Sequence, residues 1–201
     1  MAYKVLNNVS VKDASGISSL STDMLVLVIN KNTKNDSSFK ELDEKSKKFI
    51  SKTIRTHLDQ SNSSILLPKI DGINAKSILL VKGLDADMHT HKWLSLFRGI
   101  AQKGNQNKCK DISIMPGTIS PKGKDELWLI EMVSKTIESN VYIFSETKNK
   151  TSKKPSVKKL TILTSGLAGS KLTEAKKAAK VGFAIGAVSY THLRAHETDS
   201  H

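Results

Sequence analysis

Short apolar runs alternate along this chain with longer segments whose apolar residues recur at helical spacing, and that alternation sets the fold class. Residues 24–30, MLVLVIN, form a nearly unbroken apolar run. This is the pattern of a strand covered on both faces. Further strands are read at 3–11, Ser64–Leu67, 77–81, Asp111–Met115 and 157–164. Residues 36–59 are predicted to form one long helix, with Phe39, Leu42, Phe49, Ile50 and Ile54 on a single face. Ser38 and Glu41 fit a capping box at its start. A second helix is predicted over 88–103, striped by Trp93, Leu94, Phe97, Ile100 and Ala101 and capped by Gly104. Ser120 and Pro121 read as the N-cap and first turn of a third helix, which buries Leu127, Ile130, Val133 and Ile137. Residues 148–159 are Lys-rich, contain Pro155 and read as an exposed loop. A fourth helix, 172–187, carries a small-residue face of Ala175, Ala178, Ala179 and Gly182. Helices alternating with strands in this way predict a three-layer α/β sandwich. The first two strands are expected to pair antiparallel, which makes the sheet mixed.

The composition changes abruptly between Ala187 and Val188. The 201-residue chain has 29 Lys and 2 Arg before that point; after it come no Lys, one Arg and three of the six His. The last segment, VSYTHLRAHETDSH, resembles translated sequencing adapter. Such scars are set aside before fold reasoning. The native chain is then expected to continue beyond residue 187, leaving here a front domain (1–165), the start of an interdomain helix (166–187) and a foreign tail (188–201).

The formal net charge is +13. A basic surface attracts nucleic acid or anionic membrane. Lys far outnumbers Arg, however, and Lys and Asn share AT-rich codons, so genome bias accounts for the charge without any partner. Nucleic acid is the lesser reading. No apolar run approaches the roughly 20 residues a membrane helix needs, and no signal-peptide pattern opens the chain. The single Cys109 excludes an internal disulfide. The expected location is the cytoplasm.

Candidate chemistry is sparse. His192 and His196 are four apart, as zinc ligands on a helix can be. Leu193 stands where a zincin has Glu, and Glu197 falls after the second His instead; an adapter origin empties the spacing of meaning. Asp85, Asp87, His89 and His91 could gather a divalent metal, but carboxylates just ahead of a helix also serve its free N–H groups, and that reading is favoured. His57 near a helix end and the lone Cys109 read as structural. The stretch Ser165–Ser170 links a strand to a helix without a phosphate-loop motif. No catalytic, cofactor-binding or metal residue is assigned.

Several segments in order carry a resemblance: SSILLPKIDG (63–72), KSILLVKGLD (76–85), NVYIFSETKNKTSKK (140–154), KKLTIL (158–163) and LTEAKKAAKVGFAIGA (172–187). Together they resemble the N-terminal domain of the leucyl (cytosol) aminopeptidase family. The resemblance implies a macro-domain-like αβα sandwich that is not itself catalytic. It implies a missing C-terminal domain holding two divalent metals, zinc or manganese, which removes N-terminal residues from peptides. It also implies a homohexamer. The family's NTDAEGR-type motif does not occur in this chain, so no site residue carries over. A stand-alone macro-like module binding a nucleotide or nucleic acid is the alternative. Against it, no glycine-rich phosphate loop is present, and Asn30-Lys31-Asn32 is unlike a macro-domain binding stretch.

Overall fold

A computed structural model describes residues 6, 8–58, 63–117, 119–141 and 156–198, with the side chains of 189–198 excluded. In chain order the elements are β1 (Asn8–Asp13), β2 (Met24–Ile29), α1 (Ser37–Lys45), α2 (Phe49–Thr53), β3 (Ser64–Leu67), β4 (Ile78–Lys82), α3 (Thr90–Gln106), β5 (Asp111–Met115), α4 (Glu126–Val141), β6 (Lys159–Thr164) and α5 (Gly169–Thr198). The six strands make one sheet in the order β1-β6-β5-β2-β4-β3. The three-layer sandwich and the mixed sheet are as expected.

The source of the mixing is not. β1 and β2 are not neighbours: β1 pairs parallel with β6, and the one antiparallel pair is β3 with β4. Only four residues form β3, and a turn at Gly72 and a short loop return the chain to β4. That connection is short enough for antiparallel neighbours, whereas the parallel strands β4, β5 and β6 follow one another through α3 and α4.

Alternation along the strands divides the core into two layers. Val26, Val28, Leu79, Ile112, Ile114, Leu160 and Ile162 face Trp93, Phe97 and Ile100 of α3 and Ile130, Val133 and Ile137 of α4. Leu25, Leu27, Ile29, Ile78 and Leu80 face Phe39 and Leu42 of α1 and Ile50 of α2. Strand β2 is buried at every position. It sits between β5 and β4 with helices on both sides, which is why its run is apolar throughout.

Three helix boundaries differ from expectation. The predicted helix over 36–59 is broken, and its final Asp59 lies outside the described residues. Lys48 N–H donates to Asp43 O at 2.7 Å and Lys47 N–H to Glu44 O at 3.0 Å. These are the two bonds of a Schellman turn, with Lys47 at the left-handed position that usually holds glycine (φ 52°). Lys48 is left-handed as well (φ 62°). The chain restarts as α2 and then a π turn over Ile54–Leu58. Phe49, expected on the buried face, is turned outward and is 47% exposed.

The start of α1 is capped by Asp36, whose Oδ1 accepts Ser38 N–H at 2.8 Å and Phe39 N–H at 3.2 Å. There is no capping box: Glu41 instead holds the backbone and hydroxyl of Ser18. Helix α4 starts five residues after Pro121, capped by Asp125, whose Oδ1 accepts Trp128 N–H at 2.8 Å. Ser120 is not its cap, because a turn with Gly123 at φ 76° intervenes.

At the far end of α3, Gly104 lies inside the helix. Cys109 N–H returns to Gly104 O and Lys108 N–H to Asn105 O, so the left-handed residue is Lys108 (φ 55°). Gly104 serves packing: a Cβ there would run into Ile112 Cδ1.

Helix α5 passes without interruption across residues 187 and 188. Its small-residue face does not wait for an outside partner. Ala175 and Ala179 are buried, and Ser134 of α4 donates its hydroxyl to Ala179 O at 2.7 Å. No helix among the described residues is long and apolar enough to cross a membrane.

Candidate functional site

In a sheet of parallel strands, ligands bind outside the carboxyl ends, where neighbouring connections leave in different directions. Here those ends are Ile29, Lys82, Met115 and Thr164. The crevice is divided by Asn30. Its side-chain oxygen accepts Asn32 N–H at 3.0 Å and the Thr33 hydroxyl at 3.2 Å, and its own N–H goes to Thr33 Oγ1 at 2.8 Å. Neighbouring strand ends supply glycines on either side. A Cβ on Gly83 would lie 2.8 Å from Ile29 O, and one on Gly117 would lie 2.8 Å from Asn30 Nδ2. Gly117 also needs φ 90°, a conformation that side-chain-bearing residues avoid. Asn30 is therefore wedged between β4 and β5, with its Oδ1 and backbone N–H bonded within its own loop and its Nδ2 facing Gly117.

Two clefts remain on either side of the wedge. One, of ≈ 130 Å³, is lined by Met115, Pro116, Leu163, Ser165, Asp36 and Glu126. That is below the roughly 300 Å³ of the smallest ordinary ligand pockets. Its charged lining is acidic. Burial pushes the Glu126 carboxyl up, with Lys171 opposing and Asp125 adding to the shift. Asp36 already fills the first-turn amides of α1, the position an anion would use. A diphosphate would meet two carboxyl groups here. The other cleft, of ≈ 440 Å³, has Ile29, Ile54, Leu58 and Leu84 in its wall and Lys31, Lys34 and Lys82 at its mouth. Lys31 there pairs with Asp85 at 3.6 Å.

The structure separates the residues that could have formed a metal site. Asp85 turns to Lys31, while the His89 and His91 rings stack 5.8 Å apart on an exposed surface. His89 occupies the N-cap of α3 without a side-chain cap bond, and neither Asp85 nor Asp87 caps that helix. Among the described residues, no three His, Cys, Asp or Glu side chains gather as a metal site would require. The two metals implied by the resemblance find no fitting donor set there. His57 is exposed on the π turn. Cys109 is buried; burial first, then the charge of Asp23, pushes its thiol up, which disfavours a nucleophilic thiolate. Ser165–Ser170 forms a bend and the first residues of α5. The side chains of His192, His196 and Glu197 lie outside the described residues, as does most of segment 140–154.

Comparison with known proteins agrees with this geometry. The family model described as cytosol aminopeptidase family, N-terminal domain, matches residues 25–151. A probable cytosol aminopeptidase of Nitrosomonas eutropha is 26% identical over 145 residues, covering 70% of this chain and 29% of that protein. One from Pseudomonas fluorescens is 27% identical over 148 residues, covering 72% and 30%. The chain thus spans under a third of the length of these relatives. Among solved structures, a tomato leucine aminopeptidase variant superposes with TM-score 0.62 at 18% identity, over 87% of this chain and 36% of that one. The macro domain of ganglioside induced differentiation associated protein 2 superposes at 0.64 with 12% identity, over 90% and 87%. A Trypanosoma brucei macrodomain solved with ADP superposes at 0.60 with 11% identity, over 88% and 71%. Identities this low establish the shared fold alone. The sequence match over most of the sheet goes further: this chain belongs to the cytosol aminopeptidase family and carries its N-terminal domain.

Proposed function

We propose that this chain is the non-catalytic packing and assembly domain of a longer two-metal aminopeptidase. The observation that carries the reading is the family match together with the chain's coverage of only 29–30% of its relatives. Peptide hydrolysis, with metals acting as Lewis acid and water activator, then belongs to the part of the relatives that this chain does not span. The adapter-like segment 188–201 stands where the rest of the enzyme is expected. The macro-like alternative has the fold in its favour, and the basic cleft beside Asn30 could meet an anion, but the sequence carries no glycine-rich phosphate loop.

Two measurements test this. The chain alone, supplied with Zn²⁺ or Mn²⁺, is expected to release no leucine from a leucyl anilide. Grafted onto the remaining sequence of a relative, it is expected to assemble as a hexamer and restore hydrolysis. Turnover by the isolated chain overturns the reading. A source gene that ends in the codons for THLRAHETDSH, without entering a metal-binding domain, overturns the assignment of a longer parent.

A further inference from the structure

The break between α1 and α2 builds an exposed surface outside the crevice at the strand ends. Around it, an open cleft of ≈ 760 Å³ is lined by Lys47, Lys48, Phe49, Lys52 and Arg55, together with Asp43, Ser51 and Thr56. Phe49, at 47% exposure, is the exposed aromatic among the described residues. A single exposed apolar residue is ordinary. This one is held outward by two consecutive non-glycine residues in the left-handed region, a conformation that side-chain-bearing residues resist. Strain of that kind marks a position worth a functional hypothesis.

The turn is also held rigidly. Asp43 accepts Ser51 N–H at 2.8 Å and its hydroxyl at 2.6 Å. Ser46 donates to Asp43 O and accepts Ile50 N–H. The one carboxylate in the cleft is thereby held by the amide and hydroxyl of Ser51. The three ion pairs among the described residues lie elsewhere and involve Lys31, Lys76 and Lys159. Four cations thus line the cleft around an exposed ring, against one carboxylate, and none of the four forms an ion pair among the described residues.

From this arrangement we propose that the cleft beside Phe49 docks an acidic amphipathic helix of a partner protein. Its carboxylates would meet Lys48, Lys52 and Arg55, and an apolar side chain would cover the ring. Charge and apolarity together select the occupant. Lys48, Lys52 and Arg55 line the cleft with the Phe49 ring. An amphipathic helix presents carboxylates at three- and four-residue intervals beside apolar side chains. Single-stranded nucleic acid is held on several successive stacking rings, and here there is one.

The test uses the whole chain and a 20-residue helical peptide with Glu at three- and four-residue intervals along one face and Leu beside them. Controls are a scrambled peptide of identical composition and oligo(dT), all at ~150 mM salt, where non-specific charge attraction is screened. The designed peptide is expected to bind one to one, with the scramble at least about tenfold weaker. The variants K48E/K52E and F49A, all at exposed positions and checked by thermal melting, are expected to weaken it by about tenfold each. A peptide with Lys in place of Glu is expected to regain binding to K48E/K52E. Equal binding of the scramble, tighter and Phe49-dependent binding of oligo(dT), or no binding of the peptide each overturns the proposal.

Discussion

Lys47 and Lys108 hold backbone positions where a side chain meets its own carbonyl (φ 52° and 55°). Left-handed geometry costs a residue with a Cβ about 1–2 kcal/mol, of which glycine returns roughly half through its freer unfolded chain. Lys47→Gly and Lys108→Gly are each expected to raise stability by about 0.5–1 kcal/mol in urea unfolding. Lys47→Ala, which keeps the Cβ, is expected to bring no such gain. The same two residues explain why the helix ends were hard to read. A helix normally announces its stop with glycine, and here the stops carry lysine. The glycine nearest to hand, Gly104, marks a close approach to Ile112 instead. Glu138 is the other residue with a measurable signature. It is 5% exposed, its Oε2 has no partner among the described residues, and burial pushes its carboxyl up to about 7 despite a backbone N–H from Leu6. The folded state favours the protonated acid. Its favourable contribution is complete below the unfolded carboxyl's value of about 4.3 and is lost as pH rises through about 7. Glu138→Gln is expected to flatten that decline, so the melting temperatures of variant and parent diverge between about pH 4 and 7, the window these values define. Parallel pH profiles would show that the carboxyl titrates as an exposed one does.

Elements were legible where one interaction dominates. Continuous apolar runs marked the strands, because a strand buried on both faces tolerates little else. The helix starts were also written in the sequence, as Asp36 and Asp125 ahead of α1 and α4, but Ser38 and Ser120 offered competing caps that only the fold could reject. The Asn30 wedge was not legible, since it depends on Gly83 and Gly117 arriving from two other strand ends. The seam between α4 and α5 behaves likewise. Gly182 lies against the Glu131 carbonyl, and a Cβ on Gly186 would come within 2.7 Å of Lys135 O. Backbone cannot swing aside as a side-chain tip can. Gly186→Ala is expected to cost about 1–3 kcal/mol, and Gly182→Ala at least as much, read as loss of stability in urea. Gly99→Ala, which meets open space on α3, is expected to be neutral or slightly stabilising.

At the scale of the molecule, α5 is part of the core. The Ala175 and Ala179 face covers α4, and the helix packs beside β1 as well. Removing residues 172–201 is therefore expected to uncover the apolar side of α4 and to broaden or abolish the cooperative melt. An unchanged transition would mean that α5 is only loosely attached. The resemblance identified the family from a few ordered segments, whereas the pairing of the strands could not be read from them. Strand order depends on contacts far apart in sequence, and periodicity reports only what is near.

That order has a consequence for how the chain is made. β1 leaves the ribosome first, yet its neighbour β6 is the last strand to emerge; Ser10 meets Thr161 across 151 residues. Strands β2 to β5 can assemble once Met115 is out, while the opening segment stays without a partner until translation has passed Thr164. Loop closure over such a distance is slow compared with local pairing. While residues 116–164 are being made the nascent sheet thus carries an open edge at β5, and it closes only when β6 slots in between β5 and the waiting β1.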